Sequence, residues 1–107
     1  MSLFKTPLGE AKDLNKELKR KDPNARIKAI NDHIKKMAKW WEKDFKGGLA
    51  GADADKRKKL IRDANKKLEA TAWLLDQQER FIKMQGSVYW KTFERKFELM
   101  RLSLPAK

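Results

Sequence analysis

The side chains of this sequence best equipped for chemistry are cations and indoles, and several fall into line. Lys59, Arg62, Lys66, Trp73 and Arg80 recur at steps of three, four and seven residues. That spacing places side chains on one face of a 3.6-residue helix. Cations on such a face pair with phosphates and release their counterions, and an indole among them can stack on a base. Trp73 also has a plainer use, as the anchor by which this second face packs on the first helical segment, with the cations at the rim. Lys56-Arg57-Lys58-Lys59 opens the same segment. A helix N-terminus carries partial positive charge, so each of these cations is disfavoured there by about 0.3 kcal/mol or more. Asp53 and Asp55 offset part of that cost. Such local conflicts often mark function, although a Lys-rich first turn also serves solubility.

Catalytic chemistry finds less support. His33 is the single histidine and follows Asp32. It could act as a general base, but no nucleophile or orienting group is spaced to work with it. With no Cys there is no thiolate nucleophile, thiolate metal site or disulfide. Asp53-x-Asp55 lacks the other oxygens of a calcium loop, and Ala64 stands where its bidentate Glu belongs. Glu69, Asp76 and Glu79 could gather a hard cation, yet Lys and Arg surround them. No phosphate-cradling or dinucleotide-binding glycine motif is present. The expectation is a non-enzymatic chain with no cofactor and no metal.

The elements that must position these residues are helices. No stretch alternates with period two, so no sheet is expected. Ala11, Leu14 and Leu18 give a narrow stripe over residues 8–21. Ile27, Ile30, Ile34, Met37, Trp41 and Phe45 form one face over residues 23–46, with Asp22 as N-cap and Pro23 in the first turn. Gly47-Gly48 reads as its stop, and residues 47–52 as a flexible loop. Ile61, Ala64, Leu68, Thr71, Leu75 and Ile82 share a face over residues 53–84, widened by Leu60, Leu74 and Phe81. Whether this helix runs unbroken is open. Trp90, Phe93, Phe97, Met100 and Leu104 line the last segment, after Gly86-Ser87. The fold class is all-α, a small antiparallel three- or four-helix bundle, in one domain of residues 1–107 with residues 1–7 flexible.

Two further features concern partners. Trp40 lies about 100° from Trp41, beside His33, and is either a second packing contact or an exposed anchor. Val88, Leu99 and Leu102 fall opposite the main stripe of the last segment, so that helix is either central or backed against a partner chain. A helix-turn-helix over residues 78–96 fits poorly, with Ile82 where a small residue is usual and Thr92 where an aliphatic one is.

The 107 residues carry a net charge of +12, with 39% charged side chains. The stretches 1–21, 22–46, 47–86 and 87–107 carry +3 each, so the basicity belongs to the folded body rather than to a tail. Four Trp and five Phe argue against disorder. No apolar run suits a signal peptide or a membrane span, and the lack of Cys leans cytoplasmic. The first expectation is a nucleic-acid-binding module that contacts phosphates through Lys56, Arg57, Lys58, Lys59, Arg62, Lys66 and Arg80, with Trp73. The alternative is a non-catalytic adaptor or assembly subunit whose basic surface meets an acidic protein, or nucleic acid held in a larger complex, with Trp40, Val88, Leu99 and Leu102 as candidate partner-binding residues. A third reading is a binder of anionic membrane surfaces.

Overall fold

The computed structural model describes residues 6–104. Helix α1 spans Pro7–Leu18. Helix α2 spans Pro23–Trp40 and continues through a π-helical stretch, Trp41–Lys46, into a last α-helical turn, Gly47–Leu49. Helix α3 is Ala54–Gln85 and α4 is Ser87–Leu102. At 1.5 Å per residue the 32 residues of α3 make it about 48 Å long. It runs unbroken, and each of the other helices packs on it. Among the described residues there is no strand, and no helix is long and apolar enough to cross a membrane.

Side-chain caps set three of the helix starts. Thr6 Oγ1 accepts from the Gly9 amide at 3.0 Å, Asp22 Oδ1 from Ala25 at 2.9 Å, and Asp53 Oδ1 from Lys56 at 2.8 Å. Each cap satisfies a backbone donor that the first turn leaves over. Of the lead expected over residues 1–7, Thr6 and Pro7 form the start of α1, and residues 1–5 lie outside the described residues. Helix α4 has no side-chain cap. It follows α3 after the single residue Gly86, whose φ of 152° is open to glycine and strained for L side chains. A one-residue link between antiparallel helices is not the three- to four-residue turn of a helix-turn-helix.

The core has two linked parts. The first gathers Ala11 and Leu18 of α1, Ile30 and Ile34 of α2, and Leu74, Ile82 and Phe93. The second gathers Met37, Trp41 and Phe45 with Ala64, Leu68 and Met100. Phe97 packs against both, and the Thr71 hydroxyl donates to the Met37 sulfur at 2.6 Å, tying α3 to α2. Trp41 is fully buried. Its Nε1 donates to Ser103 Oγ at 2.6 Å, which answers the need of a buried indole N–H for a partner.

Glycines 47 and 48 do not end α2. The expected loop over residues 47–52 is helical through Leu49, and only residues 50–53 link α2 to α3. Gly47 has a helical φ of −61°, not the left-handed geometry of a glycine stop. Gly48 serves close packing: a Cβ there would lie 3.0 Å from Leu60 Cδ1.

Candidate functional site

The cationic run at the start of α3 faces solvent. Lys56, Arg57, Lys58, Lys59, Arg62 and Lys66 are all exposed. Ten residues of helix separate the first from the last, about 15 Å. Among the described residues the ion pairs are Lys46–Glu42, Lys83–Glu79 and Arg101–Glu98, so none of these six cations is held by a carboxylate. The dipole conflict at this helix end is relieved by Asp53, which caps the first turn. The contact between Gly48 and Leu60 brings the last turn of α2 to the same end of the molecule. Exposed Lys43 and Lys46 therefore lie near the run, with Lys46 paired to Glu42.

The remaining members of the expected line stand apart. Trp73 is half-buried and packs against the first core cluster, as does Leu14 of α1. It is thus a packing residue at the edge of that cluster rather than a member of an open cationic face. Arg80 is exposed but lies 14 residues beyond Lys66, in a shallow depression with Asp76 and Glu79. Carboxylates on that rim weaken its appeal to a phosphate.

Trp40 is not a free anchor. Phe45 stacks on its ring with centroids 6.1 Å apart and planes at 16°, and Lys67 Nζ lies 4.8 Å from its centroid. Trp40 and Trp73, the two indoles of the membrane-surface reading, are both half-buried. Val88, Leu99 and Leu102 are a different case: they are 73%, 60% and 71% exposed. Helix α4 is thus not central; it turns its outer side to solvent.

A polar network that sequence reasoning missed lies in the core. Gln78 is buried; its Oε1 accepts from Arg26 Nε at 2.9 Å and its Nε2 donates to buried Asn15 Oδ1. The Arg26 guanidinium lies 3.9 Å from the Phe81 ring centroid, and burial lowers its pKa. Among the described residues no buried side-chain polar atom lacks a partner. The network joins α1, α2 and α3, and its chemistry is structural.

His33 lies in a cleft with Glu10, Lys36, Trp40 and Lys67. Burial pushes its pKa below the usual 6.5, Glu10 raises it, and Lys36 and Lys67 lower it. The hydroxyl in this cleft, that of Thr71, is already bonded to Met37. Among the described residues no group of three His, Asp or Glu is placed to hold a metal ion.

Two grooves flank α4. One, between α3 and α4, has Leu75, Trp90 and Phe97 with Asp76, Glu79, Glu94 and Glu98. The other, of about 530 Å³, lies between the starts of α2 and α4 and is lined by polar side chains that include Asn24, Asn31, Gln85 and Tyr89. No protein-family model, curated protein or solved structure matches this chain.

Proposed function

We propose that this chain is a non-enzymatic, cytoplasmic nucleic-acid-binding module that grips phosphates with the first turns of α3. The observation that carries the reading is the run of six exposed cations, Lys56 to Lys66, none of them in a salt bridge among the described residues, with Asp63 the one carboxylate inside the run. A duplex carries one charge per about 1.7 Å of axis, so a rigid 15 Å run can meet several phosphates at once. Trp73 is not needed for this.

The test is binding to labelled single- and double-stranded oligonucleotides at about 50 and 200 mM salt. Submicromolar affinity that falls steeply with salt is expected. The triple variant Lys59→Glu, Arg62→Glu, Lys66→Glu should abolish it, while the circular dichroism spectrum stays that of a folded helical protein. Wild-type affinity in that folded variant would show that the assigned face is wrong.

A second reading rests on α4. Val88, Leu99 and Leu102 are exposed on its outer side, as in an assembly subunit that backs this helix against a partner chain while its basic surface meets an acidic protein. A chain that stays monomeric and binds oligonucleotide, with Leu99→Lys and Leu102→Lys having no effect on its binding, argues against that role.

A further inference from the structure

The groove between the starts of α2 and α4 differs in chemistry from the depressions that hold Asp76 and Glu79, Glu10, or Glu94 and Glu98. No carboxylate lines it. The chain has seven Asn and Gln side chains, and three of them, Asn24, Asn31 and Gln85, line this groove. Asn15 and Gln78 are bonded to each other in the core. The three in the groove are different: among the described residues their carboxamides make no hydrogen bond within the chain. Lys28 adds a positive charge at the wall, and Ile27 and Phe93 supply apolar surface. The volume of about 530 Å³ lies within the range of small-ligand sites.

Tyr89, the single tyrosine, completes the set. It is 45% exposed. A Cβ on Gly86 would lie 3.5 Å from its ring, an ordinary contact, so the ring lies beside the α3–α4 link. Its exposed ring face is open to a stacking ligand.

We propose that this groove holds one unpaired base of a single-stranded nucleic acid, stacked on Tyr89, with its edge toward Asn24, Asn31 and Gln85 and its phosphate toward Lys28. The proposal rests on the nucleic-acid reading above and adds to it a preference for single strands. Free carboxamides offer both donors and acceptors to a base edge, and an aromatic ring accepts any base face. A wall with no carboxylate tolerates an anion. The groups sit in a recess between helices, which a splayed-out base can enter and the stacked, paired bases of a duplex cannot.

The test compares the full chain with Tyr89→Leu and Asn31→Ala, using a single-stranded oligonucleotide and a duplex of equal length. Each variant should lose roughly tenfold in single-strand affinity, the scale of one base stack or edge contact, while duplex binding through α3 stays within about twofold. Single-strand binding equal to wild type in both folded variants overturns the proposal, and so does equal loss on both substrates. If the wild type binds neither substrate, the phosphate-gripping function fails. The groove is then decided by free mononucleotides: shifts of the Tyr89 ring signals, retained in the α3 triple variant, uphold it, and unmoved signals overturn it. Shifts of the Tyr89 ring signals on adding an uncharged peptide, without any response to mononucleotides, would assign the groove to a protein and overturn it too.

Discussion

Gln78 uses both ends of its carboxamide, receiving from Arg26 and giving to Asn15. Truncation to Ala would leave a guanidinium and a buried amide oxygen unsatisfied. Gln78→Ala should therefore cost about 2–4 kcal/mol, read by urea unfolding at neutral pH. A loss below about 0.5 kcal/mol would mean that water enters and substitutes for Gln78. His33 gives a second residue-scale expectation. Its folded pKa lies below the usual 6.5 through burial. Between those two values the unfolded chain binds more protons than the folded one, so stability rises with pH. Lowering the pH from about 7 should erode the thermal midpoint as it passes 6.5, and the loss through this group should level off below the folded pKa. His33→Gln should flatten that dependence; an unchanged profile would place the sensitivity elsewhere.

At the scale of elements, α2 is the instructive one. Its apolar row advances by four residues twice in succession, Met37 to Trp41 to Phe45. At 100° per residue this would carry the row about 80° round the helix. The wider π turn over Trp41–Lys46 takes up the excess, and Trp41 and Phe45 stay buried. The spacing was visible in the sequence, and the turn that reconciles it was not. Gly47-Gly48 misled for a related reason, because a glycine stops a helix only in the left-handed conformation, and here close approach to Leu60 decides otherwise. Gly86 does adopt a geometry that excludes Cβ, so Gly86→Ala should destabilise by about 1–3 kcal/mol, measurable as a lowered thermal midpoint. The faces of α2, α3 and α4 were legible because apolar residues repeat with the helical period. The Asn15–Gln78–Arg26 network was not, since polar residues at core positions read as boundary until their partners are known. Nor could a helical projection of α3 tell that Trp73 would pack against the core rather than stand free.

At the scale of the whole molecule, 27 cations face 15 carboxylates, within extents of 45 × 36 × 20 Å. Self-repulsion at net +12 opposes the compact state and is screened over about 10 Å at 0.1 M salt. Added salt should therefore raise the thermal midpoint by a few degrees between about 10 and 150 mM, while it weakens oligonucleotide binding over the same range. A midpoint indifferent to salt would mean that the charges are spaced widely enough not to matter for the fold. The α3 triple variant lowers the net charge by six, and its midpoint should depend less on salt than that of the wild type.

Helix α1 buries only Ala11, Asn15 and Leu18, and the bond that ties it into the network spans 63 residues of chain. The α3–α4 hairpin, by contrast, closes through one glycine. Long-range contacts repay their loop entropy late. The hairpin should thus gain protection against hydrogen exchange early in refolding and α1 last, and in the native state the amides of α1 should open as a separate unit below the global unfolding free energy. Each such excursion would free Gln78 from Asn15 and uncover the strip of α3 that α1 covers, so the molecule carries a second, transient surface that its ground state conceals.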